Sequence, residues 1–108
     1  LPVTPHGFAM SLVFNLHDPS LTKYLQMECV LVVAPEDYQM VKKLVTRKMP
    51  LLKDRLTTLV ADKSIDDVNG KVGINRLKRE IHDEFNRILF PDGVRRIRDV
   101  LFDEWHID

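Results

Sequence analysis

The chain has 108 residues, of which 44% are apolar and 30% charged, as in a globular protein with room for one domain. Its sixteen basic residues balance sixteen acidic ones, which excludes the strong long-range field on which non-specific nucleic-acid binding depends. No apolar run approaches the roughly 18 residues of a membrane span, so the printed segment does not itself cross a bilayer.

The first seven residues are expected to form an extended lead-in, because residues 1–7 contain two prolines and a glycine. Residues 8–108 are expected to form a single domain. The chain starts at Leu1 rather than at a methionine, so we expect it to be a piece of a longer protein.

Two stretches of alternating apolar residues predict a β-hairpin. The first covers residues 8–16 and the second residues 23–34. The connector between them contains Asp18 and Pro19, which favour a turn. The two strands are therefore expected to pair in antiparallel fashion. Cys29, the single cysteine, lies on the wholly apolar side of the second strand and is expected to be a buried, unreactive thiol.

A Pro-Glu-Asp sequence that begins at Pro35 ends the second strand and starts a helix. Apolar residues then recur at helical spacing through residue 60, with Pro50 in the middle. This pattern predicts either two helices or one kinked rod. Four basic residues crowd positions 42–48; we interpret them as a solvated face, with an acidic protein partner as the alternative.

A short turn is expected next, because Ser64, Asp66 and Asp67 resemble a capping box. The acidic pair does not fit an EF-hand calcium loop, since Val68 stands where an oxygen ligand is required. We therefore predict no calcium site here.

The clearest helix of the sequence covers residues 72–90, where one apolar stripe recurs at intervals of three and four. The stripe consists of Ile74, Leu77, Ile81, Phe85 and Ile88. On the outer face, opposite charges four residues apart predict ion pairs within the helix. They are Arg76 with Glu80, Arg79 with Asp83, and Asp83 with Arg87.

The last predicted strand covers residues 94–107, after a Pro-Asp-Gly turn. Strict alternation places Ile97, Leu101, Trp105 and Ile107 on one side, and Val100 and Phe102 on the other. Together the elements predict a two-layer α+β domain, in which a small sheet of about three strands is covered on one face by three to four helices.

A second apolar surface is predicted on the side of the sheet away from the core. It consists of Val13, Val30, Val32, Val100 and Phe102. A patch of this kind on a monomer commonly marks a contact with a partner or with another copy. The alternative is that another helix or residues 1–7 cover the patch, which would make these positions part of the core.

The residues that carry chemistry are scattered along the chain. The histidines are His6, His17, His82 and His106. None has the spacing of a metal set, and a single cysteine cannot complete a zinc site. His82 lies among acidic residues and is interpreted as a surface imidazole rather than a general base. Arg95, Arg96 and Arg98 suit a phosphate or a nucleic acid, yet acidic partners from neighbouring elements are the commoner arrangement. We predict no enzyme activity, no catalytic, metal-binding or cofactor-binding residue, and no cofactor.

Three stretches carry a family resemblance. They are Asn15 with Asp18-Pro19 and Tyr24-Leu25 before the second strand, the junction at residues 62–68, and the closing pattern Ile97-x-x-Val100-x-Phe102-x-x-Trp105. Together with the Pro-Glu-Asp helix start and the amphipathic third helix, they resemble the periplasmic domain of the flagellar basal-body-associated FliL family over residues 14–107. The chain departs from the usual family pattern at residues 63–65 and at its last three residues.

The resemblance implies a stomatin/prohibitin (SPFH)-like fold and a non-enzymatic accessory role in the flagellar motor. It implies a homo-oligomeric ring in the periplasm, around the peptidoglycan-binding subunit of the stator, that supports stator stability and torque for swimming or swarming. It also implies a membrane-spanning helix upstream of the chain, which would place the domain at the periplasmic face of the bacterial inner membrane.

Two other functions remain open from the sequence. One is a stomatin-like membrane scaffold unconnected with flagella, which would share the fold. The other is a small enzyme or ligand-binding α+β domain, whose site would be a deep pocket containing His82 or the three arginines.

Overall fold

An antiparallel sheet, covered on one face by two α-helices, makes up the part of the chain that the computed structural model describes. That part consists of residues 3–4, 7–18, 23–61, 63 and 70–107. The burial and contacts of side chains are described for residues 26–61, 63 and 70–103. The α+β class and the small sheet are as predicted. The stomatin/prohibitin-like detail stays a prediction.

Within the described residues, the sheet contains four strands that lie side by side in sequence order. They are β1 (Val3–Thr4), β2 (Gly7–Asp18), β3 (Lys23–Val33) and β4 (Ile97–Ile107). β2 and β3 form the predicted hairpin, with Phe8 opposite Val33 at one end of the pairing. β4 pairs with the other side of β3. Val3 and Thr4, expected in the lead-in, pair with the start of β2 and so add a short fourth strand.

Two long helices follow the hairpin. They are α1 (Tyr38–Ala61), preceded by a 3₁₀ turn over Pro35–Asp37, and α2 (Lys71–Leu89). α1 continues through Pro50, which favours one rod over two helices. Pro50 has no N–H to donate to the Thr46 carbonyl, but both residues are exposed, so water can take the place of that bond. The described residues contain two α-helices, so the predicted three to four are not confirmed; the short turn expected at residues 64–69 lies outside them.

The core lies between the sheet and the helices. β3 contributes its predicted apolar side, namely Met27, Cys29, Leu31 and Val33, all at 0% exposure. The helices contribute Val41, Val45, Leu52 and Leu56 from α1, and Leu77, Ile81, Phe85 and Leu89 from α2. Fully burying an aliphatic or aromatic side chain stabilises a fold by roughly 1.5–3 kcal/mol. The apolar stripes read from the sequence therefore hold both helices on the sheet.

β4 departs from strict alternation at two β-bulges. Val33 pairs with Ile97 but Val32 pairs with Asp99, which makes Arg98 an extra residue in β4. A second shift, between Glu28 and Cys29 of β3, leaves Asp103 extra in the same way. Each extra residue exchanges the two sides of the strand beyond it.

The bulges correct the predicted sides of β4. Ile97 and Val100 are both in the core, at 1% and 0% exposure, and Phe102 packs against it. Leu101 is 39% exposed on the other side. The prediction that Val100 and Phe102 lie away from the core is therefore wrong, because strict alternation does not allow for the residue that a bulge inserts.

Candidate functional site

Only some of the residues of the predicted contact surface lie on the side of the sheet away from the core. Val30 is half-buried and Val32 is 1% exposed, and both alternate with the core residues of β3, on the opposite side of the strand. Val100 and Phe102 belong to the core side. Val13 is the Cα partner of Glu28, and its side chain lies outside the described residues. Of the five predicted residues, Val30 is thus the one that the structure places on this side with part of its surface accessible.

Leu101 joins Val30 on the side of the sheet away from the helices. The two residues are Cα partners in neighbouring strands. Asp99 lies on the same side of β4, and the bulge residue Asp103 is exposed two positions after Leu101. We call Val30, Asp99, Leu101 and Asp103 the outer sheet surface. A small apolar centre flanked by carboxylates suits a protein contact, since apolar residues at the middle of an interface are typically rimmed by charge.

A buried polar cluster joins α2 to the start of β4. The Asn86 side chain, 3% exposed, accepts a hydrogen bond from the Ile97 N–H at 3.0 Å and donates one to the Ile97 carbonyl at 3.1 Å. His82 Nε2 lies 2.6 Å from the same carbonyl oxygen. Because a carbonyl oxygen only accepts, this nitrogen carries the proton in that contact. The cluster fixes the position at which β4 begins against α2.

The structure gives His82 a different role from the predicted one, and it gives a role to Asn86, for which the sequence predicted none. His82 is half-buried and bonded to backbone, not a surface imidazole among solvated charges. Asn86 was not singled out by the sequence analysis, although a signal was present. It follows Phe85 and lies four residues after His82, within the arc of α2 that faces the core. A polar side chain in such an arc must find a partner, since burying an amide without one is costly.

Arg95 and Arg96 each pair with an aspartate from a nearby segment. The sequence favoured acidic partners of this kind over a phosphate or a nucleic acid. Arg95 Nη2 lies 2.6 Å from Asp83 Oδ1. Arg96 donates to both carboxylate oxygens of Asp92, at 2.9 and 3.2 Å, and its guanidinium lies 5.1 Å from the centre of the Phe90 ring. The bonds from Arg96 hold the pKa of Asp92 below its ordinary value. These arginines are therefore engaged in holding the turn before β4.

The acidic residues of α2 do not form the ion pairs predicted within the helix. The pairs observed are Glu80 with Lys63, Asp83 with Arg95, and Glu84 with Arg87. A further cross-link comes from Lys48 of α1, whose Nζ donates to the Ile88 carbonyl at 3.1 Å. This bond satisfies one of the last carbonyls of α2, which have no partner inside the helix. Except for the pair of Glu84 with Arg87 inside α2, these charges thus connect α2 to other parts of the domain.

An open groove of about 290 Å³ lies between the end of α2 and the turn that leads to β4. Asn86, Phe90 and Arg95 are among its lining residues. The amide of Asn86 is already bonded to Ile97, and Arg95 is already paired with an aspartate. His82 and Arg96 do not line the groove. This open groove is therefore not the deep pocket expected of a small enzyme.

Cys29 is fully buried, and its Sγ lies 3.9 Å from Met27 Sδ. Removal from water raises the pKa of the thiol to about 12. Within the described residues, no group of three or more His, Cys, Asp or Glu side chains could hold a metal ion. Asp66 and Asp67, at which the sequence predicts no calcium site, lie outside those residues.

Two comparisons with known proteins agree with each other. Residues 8–107 match the family model described as "Flagellar basal body-associated protein FliL". A flagellar protein FliL of Aquifex aeolicus (strain VF5) is 31% identical over 85 residues, which are 79% of this chain and 51% of that protein. The chain thus spans about half the length of the curated relative that it matches. The range that matches the family model contains the whole of α1, α2, β3 and β4.

Proposed function

The chain belongs to the FliL family of flagellar basal body-associated proteins, and from this premise we propose that it is a non-enzymatic accessory protein of the flagellar motor. In this proposal the domain oligomerises in the periplasm around the stator, chiefly its peptidoglycan-binding subunit. It supports stator stability and torque for swimming or swarming. The observation that carries the proposal is the family match, which extends over residues 8–107.

The location follows from the same premise. We place the domain at the periplasmic face of the inner membrane, anchored by one helix upstream of the printed chain. None of the helices in the described residues is long and apolar enough to cross a bilayer. Such an anchor would raise the effective concentration of neighbouring copies towards the millimolar range, so a weak contact between domains would suffice for assembly.

The engagement of the reactive side chains supports a role without catalysis. His82 bonds the Ile97 carbonyl, and Arg95 and Arg96 are paired with aspartates. A general base or an anion-binding arginine has to be available to a substrate. Here these groups instead stabilise the junction between α2 and β4.

The outer sheet surface is the proposed contact with other copies of the domain. Val30 and Leu101 supply its apolar centre, and Asp99 lies beside them. Val32 is 1% exposed and contributes little accessible area of its own. A stomatin/prohibitin-like architecture, in which such small α+β domains assemble side by side, is part of the same proposal.

The proposal is tested by co-purification of the longer, membrane-anchored protein with the stator subunits from detergent-solubilised membranes. We expect both stator subunits to be recovered, and a deletion strain to swim poorly in viscous medium. A variant of the same protein with Leu101→Arg, which alters the outer sheet surface without touching the core, should recover less of the stator, because this surface is the proposed contact between copies. Recovery of the protein without stator subunits, together with normal swimming in the deletion strain, would instead support a general membrane scaffold.

A further inference from the structure

The outer face of α1 concentrates positive charge in a chain whose net charge is zero. The helix sequence contains six basic residues and one acidic residue, Asp54. Lys48 donates a hydrogen bond to the Ile88 carbonyl. The other five are exposed, and none forms an ion pair with another described side chain. They are Lys42, Lys43, Arg47, Lys53 and Arg55. This excess therefore has no compensation within the described part of the domain.

Two exposed apolar side chains lie among these charges. Met40 is 38% exposed and Leu51 is 44% exposed. They are eleven residues apart, which is about three turns of an α-helix, so they lie on the same side of α1. Lys43 and Arg47 fall between them at helical spacing. We call Met40, Lys43, Arg47 and Leu51 the basic strip.

The outer sheet surface has the opposite character. It combines the half-buried Val30 and the exposed Leu101 with two aspartates. β4 as a whole contains two Asp and one Glu against one Arg. The basic strip lies in the helix layer and the outer sheet surface on the far face of the sheet. Since the sheet separates them, one copy of the domain cannot bring its own two surfaces together.

We propose that two copies of the domain bind head to tail, with the basic strip of one copy against the outer sheet surface of the next. This inference rests on the oligomer proposed above and supplies its two contact surfaces. Each surface combines two apolar side chains with two charges of one sign, and the signs are opposite. The two surfaces are also of similar length, since Met40 to Leu51 of α1 spans roughly 17 Å and Asp99 to Asp103 of β4 roughly 13 Å.

A contact of this kind is heterologous, because it joins two different surfaces and leaves one of each free at the ends. Repetition of such a contact generates a ring when the rotation between copies closes.

Two other contacts explain the surfaces less well. Pairing of β4 with a strand of another copy is disfavoured, because the bulges at Arg98 and Asp103 interrupt the edge of the sheet. Binding of anionic lipid would use the basic strip alone and would leave the acidic sheet surface without a partner.

The test uses two variants, each of which changes the charge of one surface, and sedimentation equilibrium of the chain up to millimolar concentration. The strip variant is Lys43→Glu with Arg47→Glu, and the sheet variant is Leu101→Lys with Asp103→Lys. Each variant then carries two surfaces of the same sign, so we expect self-association at least about tenfold weaker than in the unmodified chain. An equimolar mixture of the two variants should associate again, because each complements the other.

The control matched to the strip variant is Lys71→Glu with Arg76→Glu, at two exposed positions of α2, which changes the net charge by the same amount as the strip variant does. It should associate as the unmodified chain does. Raising the salt concentration from 0.1 M to 1 M, which shortens the screening length from about 10 Å to about 3 Å, should weaken the association of the unmodified chain.

Association that neither variant weakens, or that mixing does not restore, would overturn the head-to-tail contact while leaving the proposed oligomer intact. A chain that stays monomeric at millimolar concentration would contradict both proposals. If that monomeric chain also binds phosphatidylglycerol vesicles and the strip variant does not, the basic strip is a lipid surface and the contact between copies is excluded.

Discussion

A single buried amide, that of Asn86, holds the start of β4 to α2. In Asn86→Ala the Ile97 N–H loses its side-chain acceptor, while the Ile97 carbonyl keeps His82. We expect the free energy of unfolding to fall by about 1–3 kcal/mol, the usual cost of a buried polar group left without its partner. Urea denaturation followed by circular dichroism measures this loss. Asn75→Ala, at an exposed position of the same helix, should change stability by less than about 0.5 kcal/mol. Similar small losses in both variants would contradict the role given to Asn86.

The thiol of Cys29 should react only when the protein unfolds. With a pKa of about 12, on the order of 10⁻⁴ of the thiol is ionised at pH 8, and the thiolate is the reactive form. We expect iodoacetamide to label the native protein at least roughly 10³ times more slowly than the denatured protein, as for any group exposed by global unfolding. Mass spectrometry over time measures both rates. Native labelling close to the denatured rate would show that the core side of β3 is open to solvent.

At the scale of the element, two neighbouring residues of β4 test its bulges directly. Val100→Arg places a charge at a position with 0% exposure, so we expect a loss of about 4 kcal/mol or more, or no folded protein. Leu101→Arg, at 39% exposure, should stay folded and lose less than about 1 kcal/mol. Thermal unfolding followed by circular dichroism compares the two variants. The reverse order of stability would restore the strict alternation that the sequence suggests.

The elements of the domain differ in how far the sequence predicts their buried faces. β3 and α2 are predicted with their buried faces because their apolar patterns are unbroken, and an unbroken pattern reports which side contacts the core. A bulge inserts one residue without changing the composition of the strand, so the sides of Val100 and Leu101 cannot be read from alternation. The ion pair of Lys63 with Glu80 is equally hidden, since it depends on how the chain returns to α2. Hence Val30 could be found from sequence and Leu101, its neighbour in the outer sheet surface, could not.

For the whole molecule, the order of strands predicts an uneven distribution of stability. β3 lies between β2 and β4 and contributes four fully buried side chains to the core, whereas β4 is at the edge of the sheet. Amide hydrogens of β3 should therefore exchange only through global unfolding, and a part of those in β4 should exchange faster through local opening. Native-state hydrogen exchange followed by NMR measures this difference strand by strand. Equal protection in β3 and β4 would indicate that the edge is covered by another part of the chain.

The two extra residues of β4 also affect how the domain tolerates crowding. A regular edge of eleven residues would offer a row of N–H and C=O groups on which a foreign chain could grow as a further strand. Arg98 and Asp103 divide the strand so that no regularly paired stretch is longer than four residues. Amyloid-like stacking typically recruits segments of about six. The two bulges therefore disfavour the growth of a fibre from the β4 edge.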